Sequence, residues 1–257
     1  MSSLSSPAVL LRRVDHGDYD LILTFFTPSR GRLSAIAKAA KKSAKRFSGV
    51  LELFSVLEIV CSYGRKKGLP VLQEAALKQG FSGIRGDLLR TAYASYWAQL
   101  INEWTEEGQP VDPLYKLFLR CMDRLDKGQG PPAEISLLFQ VRFLGIAGLA
   151  PNFSACRKCG RPIASFNAAG CFFDMTGGAV VCDSCGPAEG RSLELSKGTV
   201  RQLQWMQKRD LSQAERIRTT ARAMEEGSRL LETFVPFHLG KEPKSLRFLR
   251  QIRGGVP

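Results

Sequence analysis

Histidine is almost missing from this chain. Its 257 residues contain two, His16 and His238, and no His-Glu-x-x-His pair. There is also no Gly-x-x-x-x-Gly-Lys phosphate loop and no Gly-x-Ser-x-Gly nucleophile turn. The sequence therefore offers no catalytic residue and no cofactor-binding residue, and the expected class is not an enzyme. No run approaches the eighteen or so apolar residues of a membrane span. Met1 to Pro7 lacks the basic region and apolar run of a secretory signal, so a cytoplasmic protein is expected. Repeats and low-complexity tracts are absent too.

The chain does carry cysteine, seven in all, four of them in one pattern. Cys156-Arg157-Lys158-Cys159 is followed after 22 residues by Cys182-Asp183-Ser184-Cys185. Each Cys-x-x-Cys turn aims two sulfurs at one point, and two such turns fill the four positions of a tetrahedral zinc ion. The alternatives are two disulfides or free buried thiols. A site closed by Cys156, Cys159, Cys182 and Cys185 leaves no position for water or substrate, so one Zn2+ here is expected to hold structure. Gly160 and Gly186 follow the two turns directly. Cys171-Phe172-Phe173-Asp174 and Ala179-Val180-Val181 flank Met175-Thr176-Gly177-Gly178, which predicts a hairpin and hence a zinc-ribbon insert over about 153–188. Cys171 is a spare, expected to be buried; Cys61 and Cys121 lie in apolar segments and read as core.

Charge is the second excess. The net charge is +13, and it sits at the two ends. Residues 1–80 carry 13 basic and 6 acidic side chains, and residues 191–257 carry 14 and 7. Residues 81–155, with 7 and 8, and 156–190, with 3 and 3, are close to neutral. Such a distribution favours a polyanionic partner, most often nucleic acid.

The fold class expected is α+β, with a β-barrel domain over 1–80 and a mainly helical domain over 81–257 that carries the zinc ribbon. Strands are expected over Ala8–Val14, Tyr19–Thr27, Arg32–Ala37, Leu51–Tyr63 and Leu69–Lys78, from their β-branched and aromatic content and alternation. Five strands with a long third-to-fourth connection fit a Greek-key barrel such as an OB-fold, with a β-sandwich as the alternative. That connection runs from Lys38 through Lys41, Lys42, Lys45 and Arg46 to Phe47, five cations in nine residues before the ring. Such a run repels itself until phosphates neutralise it. Arg12, Arg13, Arg30 and Arg32, and also Arg65, Lys66 and Lys67, are placed to extend the same face. OB-folds combine such a groove with aromatic stacking. Of the aromatics there, Phe47 is expected to be exposed, and at least one of Phe25 and Phe26 to be core.

Beyond residue 84 the period becomes helical. Asp87 is expected to cap a helix to Trp104, Pro113 to start a second ended by Gly128, and Pro131-Pro132 to start a third to Gly148. After the ribbon, Ser196 caps a helix to Lys208. Ser212-Gln213-Ala214-Glu215 has capping-box spacing and predicts a helix from there to about Phe234, stopped by Pro236. Pro243–Ile252 reads as a short basic helix, with Lys244, Arg247, Arg250 and Arg253.

Three stretches together resemble the RecO family of bacterial DNA repair and recombination mediators. They are Gly17–Thr27 with Gly31 and the basic run into Phe47–Phe54, the four-cysteine ribbon between helices, and Phe237-His238-Leu239-Gly240 followed by Lys244–Leu249. The resemblance implies an N-terminal OB-fold, binding of single- and double-stranded DNA, annealing of complementary strands, and help in loading the RecA recombinase onto strands coated by single-stranded DNA-binding protein. It implies RecR and that single-stranded DNA-binding protein, through its C-terminal tail, as partners, RecA indirectly, and a nucleoid-associated place in the bacterial cytoplasm, with no membrane and no small-molecule substrate. Two alternatives rest on the residues themselves. One is a zinc-ribbon nucleic-acid factor of another kind. The other is a metal-dependent nuclease using Asp15, Asp18 and Asp20, although the sequence after them lacks the Gly and Glu of a calcium loop.

Overall fold

The computed structural model of the chain describes residues 3–43, 46–64, 68–166, 170–187 and 190–254. It is an α+β protein that divides into two compact units, Met1–Lys127 and Gly128–Pro257. The first three helices fall in the first unit, with the strands that precede them.

In the first unit, five strands close into a barrel: β1 (Ser3–His16), β2 (Asp20–Thr27), β3 (Gly31–Ala37), β4 (Val56–Ser62) and β5 (Val71–Gln79), in the order β1-β2-β3-β5-β4. β1 runs further than its apolar segment because it serves two neighbours. Ser3 to Val9 pair with β4, and Val9 to His16 pair with β2 across an irregularity between Leu10 and Arg12. β3 and β5 run parallel and meet at Ile36 and Val71. Period-two alternation sends Leu21, Leu23 and Phe25, then Leu33, Ala35 and Ala37, then Leu57, Ile59 and Cys61 into the interior. The expected strand from Leu51 begins only at Val56. Leu51 turns into the core, and Phe54 N–H and Ser55 C=O bond the Leu10 backbone at 2.8 and 3.1 Å.

Phe26, of opposite parity to Phe25, leaves the barrel on its outer face. It meets Tyr115 and Phe118 of α3 (Asp112–Asp126), with ring centroids 5.5 and 6.1 Å away. Both phenylalanines are thus core, one on each side of the sheet. The short α1 (Ser82–Arg85) leads to α2 (Leu88–Trp104), where Asp87 caps as expected by accepting from Arg90 N–H at 2.9 Å. Tyr93, Tyr96 and Trp97 of α2 are fully buried.

The second unit starts with α4 (Pro132–Ile146). A three-stranded sheet follows, β6 (Gly170–Asp174), β7 (Ala179–Val181) and β8 (Ser192–Ser196), in the order β7-β6-β8. The expected hairpin is β6–β7; β8 is an additional strand. Ser196 then caps α5 (Lys197–Lys208) by accepting from Thr199 N–H. Three helices complete the unit: α6 (Leu211–Ala214), α7 (Ala221–Leu239) and α8 (Lys244–Gly254).

Two expectations fail here for identifiable reasons. The helix placed from Ser212 to Phe234 is two helices. Asp210 caps α6 by accepting from Gln213 N–H, and Thr220 caps α7 by accepting from Ala223 N–H. Pro236 does not stop α7 but lies inside it. A proline there removes the N–H that would bond Glu232 C=O. Arg250 of α8 replaces that donor, its guanidinium reaching the Glu232 carbonyl at 2.9 Å.

Candidate nucleic-acid interface and cysteine cluster

The basic connection between β3 and β4 is packed onto the barrel. Lys38 Nζ pairs with Asp20 Oδ2 at 2.8 Å, and Ala39 N–H donates to Asp20 Oδ1 at 2.8 Å. The bond from Lys38, then that from the Ala39 N–H, holds the Asp20 carboxyl below its usual range. Lys41 pairs with Asp15 at 3.0 Å, and its N–H bonds the Tyr19 carbonyl at 3.0 Å. Lys42 Nζ stands 3.4 Å over the centroid of the Tyr19 ring. Arg46 donates to the carbonyls of Leu72 and Gln73 on β5. Asp15 and Asp20 therefore fasten lysines of the loop to the β1–β2 turn.

Most of the cations expected on this face are exposed, but they are not equally available. Arg12 and Arg30 are exposed, with no carboxylate partner among the described residues. Lys38, Lys41, Lys42 and Arg46 are exposed within the contacts just given. Arg13 is engaged by Leu51 C=O at 2.9 Å and by Glu52, and half-buried Arg32 by Asn102 C=O at 2.9 Å. Lys45, Arg65, Lys66 and Lys67 lie outside the described residues. Phe47 is a correction: it is 4 % exposed and plugs the barrel core with Leu51. Its ring face cannot meet a base without vacating the core, because an apolar ring beside an open barrel end is more stable inside. The exposed ring in the basic field is Tyr19, at 46 %. In the sequence Tyr19 reads as the first residue of a strand, and the signal for its exposure is its place in the turn Gly17-Asp18-Tyr19.

In the second unit the four cysteine sulfurs converge. Sγ of Cys156, Cys159, Cys182 and Cys185 all lie within 4.8 Å of one another, and Cys159 and Cys182 are 3.7 Å apart. Four thiolates about 2.3 Å from a central zinc stand about 3.8 Å from each other, so the donor set fits a tetrahedral ion. The sulfurs are free thiols rather than disulfides. The intervening residues brace the two turns. Arg157 pairs with buried Asp174 of β6 at 2.8 Å, and Lys158 Nζ reaches the carbonyls of Cys185 and Pro187 at 3.2 Å. Gly160 and Gly186 have φ of +72° and +68°, a backbone conformation that residues with a side chain rarely adopt and that lets each knuckle reverse.

Electrostatics in the cluster suit a cation. Burial works to raise the Cys156 thiol, but N–H groups of Cys182, Cys159 and Lys158 outweigh it and hold the thiol near 6. Contacts with the sulfurs of Cys182 and Cys159 push Cys185 up to about 12. Sulfurs this close cannot all ionise unless a positive charge sits among them. Cys171 is 2 % exposed, and burial raises it to about 12. The sheet docks through an aromatic series, Phe153 to Phe173 at 5.8 Å and Phe173 to Phe234 of α7 at 5.4 Å.

Comparison with known proteins matches both parts of the chain. The family model "Recombination protein O N terminal" matches residues 1–81, and "Recombination protein O C terminal" matches residues 85–247. The chain belongs to the RecO family. Proteins named DNA repair protein RecO from Desulfatibacillum aliphaticivorans and Desulfosudis oleivorans are 44 % and 42 % identical to it. The first alignment covers 98 % of both chains; the second covers 98 % of this chain and 99 % of its relative. One from Anaeromyxobacter sp. strain K is 34 % identical over 98 % of each. The RecO family is one of DNA repair proteins, and the barrel with its basic connection falls within the N-terminal match. The cysteine quartet falls within the C-terminal one. No described helix is long and apolar enough to cross a membrane.

Proposed function

We propose that the protein is a recombination mediator. It binds single- and double-stranded DNA, anneals complementary strands, and helps load RecA onto strands coated by single-stranded DNA-binding protein. Membership of the RecO family along nearly the whole chain is the observation that carries this reading. The closed five-stranded barrel supports it, since its strand order suits an OB-fold over residues 1–80. The remaining residues, 81–257, form the helical part that carries the ribbon.

Annealing breaks no covalent bond, so the protein acts here as a surface and not as an enzyme. Two polyanionic strands repel, and a cationic face lowers the cost of bringing them together. Arg12, Arg30, Lys38, Lys41, Lys42 and Arg46 would take phosphates, and Tyr19 would offer a ring edge or face to a base. Arg13 and Arg32 position the connection and the end of α2. Cys156, Cys159, Cys182 and Cys185 would hold one structural Zn2+, which when bound fixes the two knuckles and supplies no reaction. RecR and the C-terminal tail of single-stranded DNA-binding protein are the partners implied, and the bacterial cytoplasm the compartment.

The deciding experiment is annealing of complementary oligonucleotides precoated with single-stranded DNA-binding protein. The protein should accelerate it, and RecA filament formation on the coated strand should shorten its lag when RecR is present. No acceleration at any protein concentration sinks the mediator reading. Magnesium-dependent cleavage of labelled DNA would favour the nuclease instead.

A further inference from the structure

We propose that the exposed face of α5, centred on Trp205, is a second binding surface for single-stranded DNA. It takes an unstacked base against the indole and adjacent phosphates on Arg201, Arg209 and Arg216. The proposal rests on the DNA-binding reading above and adds a contact in the other compact unit.

The face is unusual for a helix packed on a core. α5 buries Thr199, Val200, Leu203 and Met206, and its opposite side should be polar. Instead it presents Trp205, 41 % exposed, whereas Trp97 is fully buried. Arg201, Trp205 and Arg209 follow at steps of four, so they form one stripe. The Arg209 guanidinium carbon lies 4.4 Å from the indole centroid. Its backbone is held as well: the Arg209 N–H bonds Trp205 C=O at 3.1 Å, and its carbonyl accepts from the half-buried Arg142 guanidinium. The indole is therefore backed by a fixed cation.

A cavity of about 420 Å³ opens beside the ring, lined by Arg201, Gln202, Trp205, Gln213, Arg216 and Ile217. Arg209, which stacks on the ring, is not among its walls. An aromatic plane, two carboxamides and flanking guanidiniums make a set that fits a nucleobase. The plane stacks, the Gln213 carboxamide offers both donor and acceptor to a base edge while Gln202 Oε1 already accepts from Thr220 N–H at 3.4 Å, and the guanidiniums meet phosphate. Charge agrees: residues 197–218 carry six basic and two acidic side chains. Of the two acids, Asp210 is occupied by Gln213 N–H and the Ser212 hydroxyl. An acidic peptide would use the guanidiniums but has less need of an open indole face beside two carboxamides. A chain with two single-strand surfaces can hold two strands, which annealing requires.

The test compares a thymidine oligonucleotide with an abasic oligomer of equal length and charge, by fluorescence anisotropy on the full-length protein. Trp205→Ala should weaken binding of the thymidine oligomer by roughly 5- to 150-fold, the range that loss of one base–aromatic stack produces. Abasic binding should stay unchanged, and Trp205→Phe should retain most of the base-dependent part. A Lys38→Gln, Lys41→Gln, Lys42→Gln triple variant should weaken both oligomers by the same factor. If Trp205→Ala leaves both oligomers unaffected, or weakens both equally, the proposal is overturned. It is equally overturned if this variant keeps DNA binding but loses an acidic peptide, which would assign the face to a protein partner. If the triple variant binds normally while Trp205→Ala loses the base-dependent part, the barrel reading fails and this one stands.

Discussion

The barrel face makes a quantitative prediction about salt. Lys38, Lys41 and Lys42 are exposed cations on one connection, and replacing all three by Gln removes their charge with little change of shape. Two of them already face carboxylates, Lys38 with Asp20 at 2.8 Å and Lys41 with Asp15 at 3.0 Å. Exposed pairs of this kind exchange readily for phosphate. Ala39 N–H still holds Asp20 in the variant, so the loop keeps its anchor. Each phosphate contact to a single strand contributes about 0.7 to the slope of log K against log salt. The triple variant should therefore have a slope shallower by about 0.7 if Lys42 alone meets phosphate, and by about 2.1 if all three do. At the upper value, raising salt from about 50 to 200 mM costs the native protein roughly 18-fold more affinity than the variant. The assay is anisotropy of a labelled oligonucleotide across that range, with circular dichroism and thermal melting as controls for fold. A slope unchanged to within about 0.3, in a variant that melts like the native protein, would refute the placement of the phosphate contacts.

Three further outcomes are expected. Cys185→Ser should cost bound zinc, read by elemental analysis, and lower the melting temperature, since structural zinc in isolated fingers contributes about 10–16 kcal/mol of apparent binding energy; a zinc-free variant that melts normally and loses only DNA binding would make the ribbon a site rather than a scaffold. Glu226 sits against burial, which would raise its carboxyl, but bonds from Thr199 and Arg222 and the Ser196 N–H hold it near 2, below its usual 4.5. A depressed carboxyl stabilises above its unfolded value and loses that contribution as pH falls through its folded one, so the melting-temperature gap between native protein and Glu226→Gln should be full at pH 6 and shrink between about 4.5 and 2; a gap constant over that window would contradict the bonding. Arg250→Ala strips the donor from the Glu232 carbonyl that Pro236 leaves open and one partner from the buried Glu232 carboxylate, at a cost of about 1–3 kcal/mol; chemical denaturation reads it, and a loss below about 0.5 kcal/mol means water replaces the guanidinium.

Several features were legible where the residues that cause them are near one another in the chain. Asp87 and Ser196 cap the helices they precede, and alternation in Leu21–Phe25 and Leu33–Ala37 places those strands. The end of α7 failed because a distant residue intervened, whereas the start of α6 and the break before α7 were missed although their caps, Asp210 and Thr220, are local. Pro236 reads as a stop because its missing N–H leaves a carbonyl open, and nothing nearby in sequence announces that Arg250 supplies the donor. Phe47 failed for a similar reason. Beside five cations it reads as exposed, yet the connection folds back and the barrel's open end takes the ring.

The sequence by itself determined the family, the cysteine quartet and the two basic ends, because spacing, composition and charge are properties of the chain alone. Convergence of Cys156, Cys159, Cys182 and Cys185 followed from two short turns and one hairpin, all local. Tertiary structure decided which cations remain for a partner. Arg13 and Arg32 are spent on carbonyls at Leu51 and Asn102, while Arg12 and Arg30 face water. It also decided which rings are surfaces, burying Phe25, Phe26 and Phe47 and leaving Tyr19 and Trp205 outside. Availability depends on what packs against a side chain, and in a closed barrel or a helical unit those neighbours come from elsewhere in the chain.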